Sequence, residues 1–529
     1  MQNIVKKHIE DILEQNVVLE KPKDISFGHY ATPVAFSLAK TLRKNPMIIA
    51  NELAKKFENS DIFESVTAIK GFVNFKLNNS FLSSLIDQSL AKGEEFAKGE
   101  KKDEKILLEF VSANPTGPLH IGHARGAVFG DALLRVGKYL GYDIKSEYYV
   151  NDAGAQMGLL GLSVYLAGRE SILGLDVQYP EKYYRGEYLF DIAKLCEKKF
   201  GKEIFEDESR QEELALFAKD EVLSLIKSDL SDLGVYFDTW VSEKSLYSSW
   251  EDTKSALESQ GSLYNKDGKV FIASTKYGDD ADRVVVRENG IPTYLAGDII
   301  YHKNKYDRNY DRYINIWGAD HHGYIKRVKA AIEFLGFESS KLEILLSQMV
   351  ALLKGGQPYK MSKRAGTVIL MSDIVQEIGS DALRFIFLTK KSDTHLEFDI
   401  DLLKNNDSSN PVFYINYAHA RINQLFKKAS LTPKDVKQNS LENLNQDSID
   451  LVYESLLLNT VLNDAFIKRD MQKITDYLHG LSAMVHKFYN NNKIIDSKEQ
   501  DQYLKILSMA ALSIRTGLNV LGIKAKEIM

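Results

Sequence analysis

Cysteine is almost missing from this chain: Cys196 is the single thiol among 529 residues. One thiol cannot close an internal disulfide, and it excludes any zinc site built from several thiolates. Such cysteine usage fits a reducing, cytoplasmic setting. Long apolar runs are missing as well. No stretch reaches the roughly eighteen uninterrupted apolar residues of a membrane-spanning helix, so no membrane partner is expected. The start, Met1 to Lys7, leads into an amphipathic pattern with Glu10 and Asp11, unlike the apolar core of a secretory signal. Internal repeats and low-complexity tracts do not stand out. Nor does either sign of charge dominate: 68 basic against 73 acidic residues leave −5. Bulk electrostatics therefore announce no polyanionic partner, although a local basic surface is enough to meet phosphates.

What is present is ordinary for a folded chain, with 44% hydrophobic and 27% charged residues. The length exceeds what one core organises and predicts three or four domains. A Lys/Glu-rich stretch from Lys92 to Lys105 reads as a linker. Before it, a helix over 2–16, helical stretches over 30–57 broken at Asn45-Pro46, and paired strands within 65–77 predict a small α/β domain. After it, Lys105 to Phe110 (KILLEF) reads as a buried strand, followed by a Gly/Pro loop, a helix over 119–140 and a strand over 145–150. That order opens a parallel nucleotide-binding sheet. A helical and irregular stretch, 155–280, interrupts it before strand-like segments return at Val284 to Arg287 and Tyr313 to Trp317. From Asn410 onward the pattern is helical; Tyr453, Leu457, Val461 and Ala465 recur every four residues on one face. The expected fold class is α/β, in three parts. Residues 1–100 form a small N-terminal α/β domain, 101–375 a Rossmann-type parallel-sheet domain with an insertion at 155–280, and 376–529 a C-terminal α-helical bundle.

The chemistry concentrates in two motifs. His120-Ile121-Gly122-His123 begins the helix after the first buried strand. Residues three apart share a helix face, so both imidazoles can address one ligand. Gly117, Gly122 and Gly126 keep the backbone low there, and the unpaired N–H groups of a helix start suit phosphate. Imidazoles at such a place suit an anionic, transient phosphorane. A His pair can also bind metal, but no HExxH helix and no cysteine set accompanies it. The second motif, Lys360-Met361-Ser362-Lys363, lies 240 residues further on, after Gly355-Gly356-Gln357-Pro358. Two lysines in a glycine-preceded loop can close over a triphosphate and supply charge to the leaving pyrophosphate.

In that order these are the two signature motifs of class I aminoacyl-tRNA synthetases, and the chain resembles that family. A nucleotidylyltransferase shares the first motif but is usually short and single-domain, and a silent, merely tRNA-binding paralogue would not need the lysines. Arg364 stands where the family commonly has serine, which leaves both lysines in place. The surroundings resemble the arginyl-tRNA synthetases in particular. The likeness is carried by Glu109 to His120 (EFVSANPTGPLH), Tyr149 to Gln156, Asp238 to Glu243, Asp279 to Arg287 and Thr293 to His302. It continues through Trp317 to Tyr324, Asp381 to Arg384, Tyr417 to Arg421 and Gly517 to Gly522, essentially the full length.

The resemblance implies an arginine–tRNA ligase that uses ATP with magnesium and no zinc, whose partner is tRNA(Arg) and which acts as a monomer. It implies His120, His123, Lys360 and Lys363 as catalytic residues, with Pro115, Gly117, Gly122, Met361 and Ser362 joining them around ATP. Glu109, Asn114, Tyr294 and Asp298 would form the arginine pocket, with Asp298 pairing the guanidinium, a rigid plane of five donors best held by carboxylates. His321 and His322 beside Asp320 would belong to the adenosine region rather than to a metal. The N-terminal domain would touch the tRNA elbow and the helical domain read the anticodon. Phe413, Tyr414, Tyr417, His419 and Arg421 are of residue types that stack on unpaired bases.

Overall fold

The computed structural model describes residues 1–22, 24–359, 369–436, 440–442 and 444–529. The chain forms two compact units, one of residues 100–405 and one made from both ends, 1–99 with 406–529.

The first unit is built on a five-stranded sheet. Its elements are β1 (Lys105–Glu109), α1 (Ile121–Tyr139), β2 (Asp143–Val150), β3 (Thr239–Ser242), α2 (Tyr294–Asp307), β4 (Arg312–Gly318) and β5 (Leu342–Ser347). The strands are ordered β5-β4-β1-β2-β3 and every pairing is parallel. Buried parallel strands need apolar side chains on both faces. Ile106, Leu107 and Leu108 in β1 and Tyr313, Ile314 and Ile316 in β4 supply them. Because β1 is flanked by β2 on one side and β4 on the other, the winding reverses there. A crevice therefore opens at the carboxyl ends of β1 and β4.

The pattern breaks at that end. Asn315, Glu109, Glu147 and Thr239 stand in register across β4, β1, β2 and β3, a polar row on the sheet. α2 covers this row, and its charged residues answer it.

The structure departs from the sequence pattern in several places. β3 lies inside the presumed insertion 155–280, yet it is the edge strand of the main sheet. Its four residues, Thr239-Trp240-Val241-Ser242, are too few to show a strand period; the Asp238 carboxylate, accepting from the Ser146 N–H at 2.8 Å, holds the entry in place. The segment at Val284 belongs instead to a separate antiparallel sheet, Leu263–Lys266, Lys269–Ile272 and Arg283–Val286. The boundary expected after 375 falls within the helix Met371–Ile378. A small sheet of Val350–Lys354, Gln357–Pro358 and Leu396–Asp399 keeps residues to Asn405 in this unit.

In the second unit, strands Tyr30–Thr32, Phe72–Leu77 and Phe63–Ile69 form an antiparallel sheet. Tyr30–Thr32 is thus strand where the sequence pattern predicted helix. Five C-terminal helices, from Pro411–Ala429 to Gln500–Val520, pack with the N-terminal part. Buried Lys505 donates to Ser83 and pairs with Asp87, each at 2.8 Å, and the Tyr453 hydroxyl donates to the His29 carbonyl at 3.0 Å.

Candidate active site

The crevice is entered through the loop after β1. Val111 and Ser112 both lie in the left-handed region, with φ of 68° and 43°. For a β-branched valine that conformation is strained, and such strain collects at functional sites. It turns the Ser112 hydroxyl back onto Glu109 Oε1 at 2.9 Å, while the Tyr149 N–H donates to Ser112 Oγ at 3.1 Å. Pro115 is buried and Asn114 is exposed. Gly117 lies under Tyr188: an added Cβ would sit 3.2 Å from its hydroxyl, which donates to the Thr116 carbonyl.

His120 is the N-cap of α1. Its Nδ1 accepts from the Gly122 N–H at 3.1 Å, and His123 Nδ1 accepts from the His120 N–H at 3.3 Å. The rings stack with centroids 3.7 Å apart. A Cβ at Gly122 would press the His120 ring at 3.0 Å, which is why glycine suits this position. Burial holds both imidazoles neutral, with His123 lowered to about 3. A neutral ring whose Nδ1 accepts must carry its proton on Nε2. The motif thus presents two Nε2–H donors beside a helix N-terminus, with no fixed cation to trap the product.

Lys360, Met361, Ser362 and Lys363 lie outside the described residues. The chain that follows them is fastened to the first motif. The Ile121 N–H donates to the Ile369 carbonyl at 3.0 Å and the Met371 N–H to the Leu119 carbonyl at 2.9 Å.

α2 brings acidic groups together. Tyr294 and Asp298 share one face of α2, a turn apart. Asp298 is hydrogen-bonded by Tyr324, and burial together with Glu243 and Glu109 pushes its carboxyl up to about 7. Glu243 was legible only as part of a motif, with no role. It is 2% exposed, accepts from the Tyr247 hydroxyl at 3.0 Å through Oε1, and leaves Oε2 without a hydrogen-bond partner. Burial raises its carboxyl too. Gly297 allows the approach, since a Cβ there would meet Glu243 Oε1 at 2.4 Å. Among the described residues neither Asp298 nor Glu243 has an ion-pair partner. A planar cation flanked by tyrosines is what such a site accepts. Glu109, by contrast, is already engaged by Ser112 and by Lys305 Nζ.

Comparison with known proteins decides the family. The model for "tRNA synthetases class I (R), catalytic domain" matches residues 85–426. This chain belongs to the class I arginyl-tRNA synthetases. The arginyl-tRNA synthetase N-terminal domain model matches residues 1–77 and the DALR anticodon-binding domain model 415–529. An arginine–tRNA ligase of Aliarcobacter butzleri is 70% identical over 529 residues, all of both chains. A crystal structure from Campylobacter jejuni described as an arginyl tRNA synthetase is 56% identical with a TM-score of 0.83. It covers 86% of this chain and 100% of its own. The arginyl-tRNA synthetase of Thermus thermophilus shares the fold at 19% identity, TM-score 0.77, over 100% of both chains.

Within this arginyl-tRNA synthetase the remaining motif residues fall as follows. Asp320, His321 and His322 are exposed on the short turn after β4. On the helix Pro411–Ala429, His419 is buried, with Nδ1 at 2.8 Å from the Lys526 carbonyl, so it is no base-stacking residue. Tyr417 is exposed, stacked on Phe413, and Arg421 covers the Tyr489 ring at 3.5 Å. Tyr414 packs between His479 and His486.

Proposed function

We propose that this arginine–tRNA ligase works through the crevice at the ends of β1 and β4, with the guanidinium held by Asp298 and Glu243. The observation that carries the reading is that pair of carboxylates, one buried and one half-buried, with no ion-pair partner among the described residues. Tyr294 flanks the guanidinium, while Asn114, in the loop after β1, meets the α-ammonium and Glu109, its charge met by Lys305, orders the end of that strand. Arginine's carboxylate attacks the α-phosphate of ATP, giving arginyl-adenylate and pyrophosphate. The arginyl group then passes to the 2′-hydroxyl of the terminal adenosine of tRNA(Arg).

No protein nucleophile is required, because positioning and electrostatic stabilisation carry both steps. Pro115, Gly117 and Gly122 keep the backbone clear for ATP. The Nε2–H groups of His120 and His123 donate to oxygens that gain charge in the phosphorane. Lys360 and Lys363, with Met361 and Ser362 shaping their loop, neutralise the departing pyrophosphate. A magnesium ion carried on the triphosphate would lower its charge. A smaller amino acid would leave two carboxylates unpaired, so discrimination is steep without editing.

Residues 1–100 contact the tRNA elbow, and the helical region reads the anticodon through the exposed Tyr417 and its neighbours. The protein acts as a cytoplasmic monomer, and arginine activation waits for tRNA. Among the described residues no helix is long and apolar enough to cross a membrane.

Asp298→Ala tests the pocket. The loss of a charged hydrogen-bonding partner, about 1.5–3 kcal/mol, raises the KM for arginine by roughly 10- to 100-fold in pyrophosphate exchange while the KM for ATP stays put. An unchanged arginine KM refutes it.

A further inference from the structure

Glu109 and Glu147 stand in register on adjacent strands, both buried, at 5% and 0% exposure. Like charges so placed repel, and a buried carboxylate without a partner gives up its charge. α2 and the residue after it answer both. Arg308 grips Glu147 with two bonds, 2.5 and 2.9 Å, and the Tyr301 hydroxyl adds a third at 2.9 Å. Lys305, itself 0% exposed, places Nζ 2.5 Å from Glu109 Oε2.

Lys305 does more than neutralise. Its Nζ also donates to Asn315 Oδ1 at 2.9 Å, which fixes the Asn315 amide with Nδ2 3.2 Å from His302 Nε2. An amide nitrogen only donates, so Nε2 accepts and the His302 proton sits on Nδ1. From there it goes to the Asp298 carbonyl at 2.8 Å. Each donor in this buried series, Lys305 to Asn315 to His302 to Asp298, finds its acceptor, and such a satisfied network rigidifies what it holds. What it holds is the Glu109 carboxylate on β1 at one end and the backbone carbonyl of Asp298 on α2 at the other.

We propose that Lys305 is a specificity-determining positioning residue: a permanently seated internal cation that commits Glu109 and, through Asn315 and His302, ties the α2 backbone at Asp298 to the sheet for one incoming guanidinium. This rests on the reading of the crevice as an arginine pocket. With Lys305 in place, Asp298 and Glu243 are the acids left for the ligand; without it Glu109 becomes a third, adding negative charge beside them.

The consequence is a dependence on pH. Asp298 faces Glu243 and Tyr247 from the turn after β3, Glu109 from β1 and Tyr149 from β2. It also faces Tyr324, which lies against Arg327, and Lys305 on its own helix. Burial and the two acids push the Asp298 carboxyl up to about 7, and Lys305 acts against them. A protonated carboxyl cannot pair with a guanidinium, so arginine binding strengthens as pH rises through that value and levels off above it. Loss of the Lys305 charge moves the rise to higher pH.

The test is the arginine KM in tRNA-dependent pyrophosphate exchange, measured from about pH 6 to about pH 9, for the native protein, K305M, E109Q and E109Q/K305M. The K305M profile is expected to move up by about one pH unit, which is roughly a fivefold higher KM near pH 7 that approaches about tenfold at the acid end and narrows at the alkaline end. An unmoved profile, or a KM raised equally at every pH, overturns the proposal. Should K305M fail to fold, the same displacement is read between E109Q and E109Q/K305M, where no carboxylate is left facing an empty cation position. Its absence there overturns the proposal equally. If D298A leaves the arginine KM unchanged, the pocket reading itself fails. If D298A raises it while Lys305 variants keep the native profile, only the role of Lys305 fails.

Discussion

The two histidines of the first motif are placed to act as neutral donors, and this follows from where their Nδ1 atoms are spent. Each Nδ1 accepts a backbone N–H, so neither ring is a base waiting to take a proton. His123→Ala removes a donor that matters to the phosphorane, and losses of this kind are about 10²- to 10³-fold in kcat. Steady-state exchange is expected to show that fall with arginine KM nearly unchanged; a KM effect at native kcat contradicts the role. At this scale the sequence was most informative where chemistry is local: the spacing of His120 and His123, and of Tyr294 and Asp298, can be read directly from helix periodicity. Glu243 and Lys305 were not legible in that way. Glu243 meets Asp298 only through tertiary packing. Lys305 sits two turns beyond Asp298 on the same face, a periodicity that could have drawn attention to it, yet a lysine in a charged helix ordinarily reads as solvent-facing.

α2 joins the crevice to the sheet beneath it: its N-terminal residues line the pocket, and Tyr301, His302 and Lys305 satisfy the polar row of the strands. A second tie is the helix Ser380–Leu388, where Arg384, 1% exposed, reaches Asp131 of α1 at 2.5 Å and the Leu233 carbonyl at 3.0 Å. Arg135 shares the same Asp131 oxygen at 2.6 Å. Removal of one partner from a buried pair costs about 3–5 kcal/mol. Arg384→Leu should therefore lower the thermal midpoint by on the order of 10 °C, as read by calorimetry; a shift within error would mean that the pair does not hold α1. Elements with a long apolar run or a strong period, such as β1 and α1, were legible in the sequence. β3 was not, because a four-residue edge strand has too little period to register and is fixed by Asp238 and Ser146, 92 residues apart in sequence.

For the molecule as a whole, net charge was the poorest guide. In the proposed reading a chain of −5 carries its chemistry in a few acids and two donor imidazoles rather than in a basic field. The division of the chain was also hidden: the two ends join in one compact unit, held by contacts such as Lys505 to Asp87 that no local pattern foretells. The central claim is that the crevice activates arginine and that tRNA licenses the step. It is tested most directly by pyrophosphate exchange into ATP with each amino acid in turn, with and without tRNA(Arg). The account predicts exchange with arginine alone, and only when tRNA(Arg) is present. Exchange driven by another amino acid, or none with arginine and tRNA together, would contradict it.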